Sequence, residues 1–258
     1  PPRSTLFLYT TLFRSGRRDR WAATLANADL LWQGFLFTVG VSLLGLVLSL
    51  VVGTLLGVLS TTRSGALRAI ARVYVEFFQN TPIVVQVFFV YTAGPMILQA
   101  AMGAEHVVRI APFLLVVVCV GLYHGAYVAE VIRTGIEAIP RGQMEGAQSQ
   151  GFSRVQAYRY IILPQTFRII LPPLANQALN LVKNTSVLAL IAGGDLMYQS
   201  DIIVADTGYL QGYVVCCVLY FLICFPLAML ITWLEARSKQ TPRVSRPAKG
   251  HEIGRAHV

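Results

Sequence analysis

The apolar run from Ile169 to Gly194 is broken by Asn176, Asn180, Lys183 and Asn184, three and four residues apart, with Gln177 alongside. On a helix those intervals place the groups on one polar stripe. Amide side chains can bond both ends of a zwitterionic amino acid, and a lysine ammonium attracts a carboxylate. The alternative is that the amides bond across a helix interface while Lys183 snorkels to a membrane surface. A second group comprises Asn80 and Thr81, which precede Pro82, with Gln86 one turn further on. Proline removes a backbone hydrogen bond and can break a helix; broken helices at membrane depth are where transporters commonly hold substrate. A kink that serves only packing is the other reading. Glu130 and Arg133, three apart, suit a structural ion pair better than a proton relay, and His124 suits a hydrogen-bonded core position. Thr185 and Ser186 are expected to bond back to their own helix. No H-E-x-x-H, G-x-S-x-G, clustered-carboxylate or phosphate-loop motif occurs, so no catalytic residue and no metal site is assigned.

The elements that must position these groups are membrane helices. Of 258 residues 55% are hydrophobic and 13% charged, against roughly a quarter charged in a soluble domain. Intrinsic disorder and a disulfide scaffold are both excluded. Cys119, Cys216, Cys217 and Cys224 lie in apolar runs without metal-ligand spacing and read as buried small hydrophobes. A bilayer core of about 30 Å needs about 20 apolar residues per helix. Five runs qualify: Leu30 to Thr62, Phe77 to Ala104 with the QNTP interruption at Gln79 to Pro82, Ile110 to Ala129, Ile169 to Gly194, and Thr207 to Leu234. The expected fold is all-α, a polytopic membrane protein with five transmembrane helices over residues 30–236.

The formal net charge of +9 does not point to nucleic acid, because the cations flank the spans instead of forming a stripe interleaved with aromatics. Arg63, Arg68 and Arg72 follow span one; Arg133, Arg141, Arg154, Arg159 and Arg168 follow span three; Arg237, Lys239, Arg243, Arg246 and Lys249 follow span five. The other two loops hold only Arg109. Cations in short loops stay cytoplasmic, which puts the C-terminus, with its basic tail 237–251, inside. Five spans then put the N-terminus outside, and Arg17, Arg18 and Arg20 in the segment 16–29 disagree with that. Residues 1–15 and 252–258 resemble translated sequencing adapters; without them eighteen cations face eleven acids, leaving +7.

Between spans three and four lies the loop 133–165, EVIRTGIEAIPRGQMEGAQSQGFSRVQAYRYIILPQ with its flanks. Pro140 suits a helix's first turn. Gln143 to Gln150 are good helix formers apart from Gly146, Gly151 offers a helix-ending position that tolerates positive φ, and Ser153 can cap the next helix, Arg154 to Ile162. Pro164 is expected to end or kink that helix. The prediction is a cytoplasmic helix, tight turn and helix.

Glu145, Gly146, Ala147, Gly151, Ile161, Leu163 and Pro164 together match the pattern E-G/A-A, three residues, Gly, nine residues, I-x-L-P. That pattern resembles the EAA loop of permease subunits of ABC importers. FFQNTPIVVQ, AYVAEVIRTGIEAIPRGQ and LVKNTSVLALI resemble stretches of the polar-amino-acid branch, and the likeness covers about Leu31 to Arg237. Gly146 departs from the more usual alanine. The resemblance implies a bacterial inner-membrane importer subunit that is not itself an enzyme. It also implies two ATP-binding subunits that use ATP and Mg²⁺ and dock on the EAA loop, a second permease, an extracytoplasmic substrate-binding protein and an amino-acid substrate. Lack of an acid in the span-four stripe argues against a cationic substrate and favours glutamate, aspartate or glutamine. The competing class, an ion-coupled secondary transporter, would show intramembrane carboxylates and a repeated half, and neither is present in the sequence.

Overall fold

The computed structural model describes residues 17–103, 110–191 and 193–239, without the side chains of residues 17, 18, 238 and 239. The adapter-like ends, Arg109 and the tail cations Arg243, Arg246 and Lys249 lie outside the described residues. Those that are described form helices and short connections, with no strand. A short helix, α1 (Arg17–Leu25), leads into α2 (Ala28–Ser60), then α3 (Gly65–Asn80), α4 (Ile83–Met102) and α5 (Pro112–Glu137). The connection after α5 carries α6 (Arg141–Ser149) and α7 (Arg154–Ala157). A π turn (Tyr158–Ile162), α8 (Leu163–Asn184) and a 3₁₀ turn (Thr185–Ile191) continue it, and α9 (Leu196–Thr207) and α10 (Gln211–Lys239) complete the chain. Among the described residues four helices, α2, α4, α5 and α10, are long and apolar enough to cross a bilayer, and a fifth crossing results if Arg154–Ile191 and Leu196–Thr207, bent by 45°, count as one.

The pairing of α2 with α5 is the backbone of the bundle. Without a hydrophobic force between helices in lipid, close association comes from small residues that let backbones approach. The buried face of α2 is such a stripe: Gly34, Thr38, Ser42, Gly45, Ser49, Gly53 and Gly57. At Gly53 an added Cβ would stand 2.5 Å from the Val128 side chain, and at Gly57 it would stand 2.8 Å from the Ala129 carbonyl oxygen. Ser42 and Ser49 satisfy their hydroxyls on Thr38 and Leu46 carbonyls in their own helix. The opposite face of α2 exposes Leu36, Leu43, Val47, Val51 and Leu55, as a lipid-facing surface requires.

The second apolar run divides differently from its sequence reading. Ser64 caps α3, its Oγ accepting from Leu67 N, so Phe77 to Asn80 end this amphipathic helix instead of opening a span. Thr81 and Pro82 then turn extended, and the crossing helix starts at Ile83. Gln86 closes the gap by donating to the Thr81 and Phe78 carbonyls at 3.0 and 3.3 Å.

Further corrections concern the second half. Pro164 does not end its helix. The Leu163 N–H bonds Tyr158 O within the preceding π turn, so the ladder is already shifted where proline cannot donate, and the helix runs on. Pro140 stands one residue ahead of α6 as its N-cap. The fourth run leaves α-geometry at Asn184 and tightens to 3₁₀. Helix α9 was not foreseen. It takes Thr207 from the fifth run, so the last crossing begins at Gln211. Asp195 caps it by accepting from Met197 N and Tyr198 N, while Leu196 N donates to Thr38 Oγ1 at 3.0 Å. Cys119 and Cys216 are buried, but Cys217 is exposed and Cys224 half-buried on α10, because that helix packs by one face only.

Candidate functional site

Helices α6 and α7 meet at a turn fixed at both ends. Gly151 has φ +85°, the left-handed region that costs other residues energy. Its N–H bonds Gln148 O at 3.0 Å, and Phe152 N–H bonds Ala147 O at 3.1 Å. This pair of bonds is the Schellman ending. Two residues on, Ser153 Oγ accepts from Gln156 N at 3.3 Å and Gln156 Oε1 accepts from Ser153 N at 2.8 Å, a capping box. Ala147 and Ala157 are buried and hold the two helices together, while Glu145, Gly146 and Gly151 are exposed. Ile161 is half-buried, Leu163 and Pro164 exposed. Around the turn lies a hollow of about 840 Å³ lined by Arg63, Glu137, Arg141, Met144 and Arg154 among others. The result is a helix-turn-helix closed by hydrogen bonds on both sides of its turn, with Glu145 exposed and lining that hollow.

The chain from α7 passes through the π turn into α8 without a break, and α8 carries the polar stripe. Gln177, Asn180, Lys183 and Asn184 line a hollow of about 230 Å³ together with Tyr123, His124 and Tyr127 of α5. Asn184 Nδ2 meets His124 Nε2 at 3.1 Å, and the Tyr123 and Tyr127 hydroxyls share a hydrogen bond of 3.0 Å. His124 is buried, whereas Asn180 and Lys183 are exposed into the opening. Among the described residues no lining side chain is acidic. Chemically the hollow offers amides, phenols and one ammonium, a set that complements a carboxylate and neutral polar groups. Upstream, Pro172 and Pro173 lie within α8 and deprive the Arg168 and Ile169 carbonyls of their usual donors.

The remaining candidates are placed apart from this hollow. Asn176 is exposed and does not line it. Asn80 and Thr81 bond back to the Glu76 and Phe77 carbonyls at 2.8 and 2.7 Å. Gln86 is spent on the helix break, as described. Glu130 pairs with Arg133, whose Nε reaches Glu130 Oε2 at 3.0 Å, and Arg133 also grips Glu137. Thr185 and Ser186 bond the Val182 and Lys183 carbonyls of their own helix.

The architecture and the loop can be set against known proteins. The sequence model for "Binding-protein-dependent transport system inner membrane component" matches residues 45–240. The chain belongs to that family. This inner membrane component is 36% identical over 216 residues to the probable glutamine ABC transporter permease protein GlnM of Bacillus subtilis, covering 83% of this chain and 96% of that protein. It is 36% identical to the glutamine transport system permease protein GlnP of Escherichia coli (85% and 97% covered) and 31% identical to the glutamate/aspartate import permease protein GltJ of Escherichia coli (82% and 88% covered). Among solved structures, one titled as the crystal structure of an amino acid ABC transporter with histidines superposes with TM-score 0.73 at 28% identity, covering 83% of this chain and 96% of that one. An inward-facing MetNI methionine ABC transporter shares the fold, with TM-score 0.55 at 17% identity over 85% of this chain and 99% of that one. The inner membrane component is therefore a multi-pass membrane subunit of a transport system that works with a binding protein.

Sequence reasoning missed Tyr123 and Tyr127. Their signal was present: Tyr123, His124 and Tyr127 recur at helical spacing on α5 and break its apolar character. It also missed the close α2–α5 contact, although Gly53 and Gly57, like Gly121 and Gly125, have the G-x-x-x-G spacing that permits it.

Proposed function

We propose that this chain is the permease subunit of an ATP-driven amino-acid importer, in which the α6–α7 turn docks a separate ATPase and the hollow between α5 and α8 passes the substrate. The observation that carries this reading is the continuity of the chain from that hydrogen-bonded turn, through the π turn, into the helix that holds Gln177, Asn180, Lys183 and Asn184. A displacement of the turn moves the stripe with it, which is what coupling requires: a rigid-body shift biased by a ligand bound elsewhere.

In this reading Glu145, Gly146, Ala147, Gly151, Ile161, Leu163 and Pro164 form the coupling element. Glu145 is offered to the ATPase, Ala147 and Gly151 fix the turn, and Ile161 to Pro164 join it to α8. ATP and Mg²⁺ bind the partner, and hydrolysis is the partner's chemistry. Two permeases and two ATPases make the core, because one five-helix bundle encloses too little to form a path. The turn and the C-terminus lie in the cytoplasm, as the distribution of cations favours, with the N-terminus outside. Substrate is a neutral or acidic amino acid: relatives named for glutamine and for glutamate/aspartate support this, and so does the lining of one ammonium and no carboxylate. Lys183 would hold the substrate carboxylate and Asn180 its polar groups. Asn80, Thr81, Gln86 and Asn176 shape the path from outside the hollow.

The test is ATP-driven uptake of radiolabelled glutamine and glutamate by the complex in proteoliposomes. Glu145→Lys and Gly151→Asp are expected to abolish uptake while leaving the permease folded. Normal uptake in both variants would remove the turn from the mechanism.

A further inference from the structure

Next to the hollow around the α6–α7 turn, with which it shares Glu137, the end of α2, one face of α3 and the last turns of α5 enclose a hollow of about 470 Å³. Its charges have a pattern that transport does not use. Arg68 and Arg72, one turn apart on α3, line it and form no ion pair within 4.0 Å; among the described residues the ion pairs are those of Arg133 with Glu130 and Glu137. Glu76, the next turn of the same face, is likewise free of an ion pair. The floor is the Glu130, Arg133 and Glu137 cluster, which holds one negative charge in excess. Two free guanidinium groups and two net negative charges thus share one neutral hollow.

The flank of the same helix is apolar and open. Leu67, Ile70, Val73 and Phe77 of α3 are all exposed, as are Val51, Leu55 and Val58 of α2. An amphipathic helix with cations on its polar face and exposed aliphatic and aromatic residues on the other belongs in a membrane interface. Paired guanidinium groups match phosphate geometry, and carboxylates accept hydrogen bonds from an ammonium.

We propose that this hollow binds the headgroup of a phosphatidylethanolamine, with the phosphate on Arg68 and Arg72, the ammonium on Glu76 and the Glu130–Glu137 floor, and the acyl chains on the exposed apolar flank. An anionic headgroup such as phosphatidylglycerol satisfies the arginines and leaves the carboxylates facing its own charge. Phosphatidylcholine places a cation there that has no N–H to donate. A soluble phosphoethanolamine would satisfy the charges without using the apolar flank.

The test uses the full chain in its assembled complex, extracted from vesicles of equal phosphatidylethanolamine, phosphatidylglycerol and phosphatidylcholine, with retained lipid counted by native mass spectrometry. The wild type is expected to retain phosphatidylethanolamine over both others. Arg68→Gln/Arg72→Gln should lower that retention about 30-fold, from about 1 kcal/mol per cation near a membrane surface and 1.4 kcal/mol per decade. Glu76→Gln should shift the preference toward phosphatidylglycerol by about fivefold on the same scale. Arg237→Gln, a control cation at the far end of α10 stacked on Trp233, should change nothing. Equal retention of all three lipids by the wild type overturns the proposal, as does an Arg237→Gln effect equal to that of the double variant. An unchanged preference in Glu76→Gln overturns the assignment of the ammonium. Displacement of the lipid by millimolar soluble phosphoethanolamine overturns the lipid as the source.

Discussion

Gly146 and Gly151 sit five residues apart in the proposed coupling element, and replacing each by alanine separates backbone geometry from side-chain space. At neither position would an added Cβ meet anything within 4 Å, so both methyls enter open space and only the backbone decides. Gly146 is helical, inside α6. Alanine there raises helix stability by about 1 kcal/mol. Gly151 has φ +85°, and a Cβ in the left-handed region costs about 1–2 kcal/mol. At 1.4 kcal/mol per decade, Gly151→Ala should weaken ATPase docking about 5- to 30-fold, whereas Gly146→Ala leaves it equal or about fivefold tighter. Gly151→Asn should fall between, since asparagine tolerates this conformation. The assay is the affinity of the ATPase subunit for the permease in nanodiscs, followed by ATP-driven uptake. If both alanine variants shifted affinity in the same direction, or Gly151→Ala stayed within about twofold of wild type, the turn geometry would not govern docking.

Three further outcomes are expected. Gly53→Ala forces a methyl against Val128 at 2.5 Å and should destabilise the solubilised protein by about 1–3 kcal/mol in thermal unfolding; Gly53→Ala/Val128→Ala should recover most of that loss, and no recovery would mean the contact is not the cause. Gln86→Leu leaves the Thr81 and Phe78 carbonyls without their side-chain donor and should cost about 1–3 kcal/mol, measured in the same way, with Gln86→Glu no better because a carboxylate cannot donate. Lys183→Gln should raise the KM for glutamate and glutamine uptake while leaving ATPase docking unchanged; an unaltered KM would remove Lys183 from the substrate path.

The loop was the most legible part of the fold because its structure is local. Gly151 and Ser153 carry their conformational preferences in their own residue types, and the Schellman ending and the capping box each close within six residues of chain. Four of the five spans were legible from length and hydropathy, with the fifth met only if the bent pair counts as one crossing, but the boundaries were not. Apolar content does not report where Ser64 or Asp195 caps a helix, so Phe77 and Thr207 were assigned to spans they do not enter. Pro164 reads as a helix breaker only if the ladder is regular, and the π turn ahead of it makes the ladder irregular. The polar stripe of α8 followed from spacing, but which of its members share a cavity depends on α5. Asn176 drops out and Tyr123, His124 and Tyr127 come in because α8 presents Gln177, Asn180, Lys183 and Asn184 to that helix. Asn80, Thr81 and Gln86 looked like one group in sequence, yet each closes a hydrogen bond at the break that the proline creates.

Closure of the ATPase is proposed to reach the α8 stripe through the α6–α7 turn. It is tested most directly by thiol labelling of Asn180→Cys in the assembled complex, after the two accessible thiols, Cys217 and Cys224, are replaced by alanine. Labelling with a membrane-impermeant reagent is measured from each side of the membrane, with and without ATP. The accessible side is expected to change with ATP, and adding Glu145→Lys is expected to freeze it in the ATP-free pattern. A labelling side that ignores ATP in the otherwise unaltered complex, or one that still responds to ATP with Glu145→Lys in place, would contradict it.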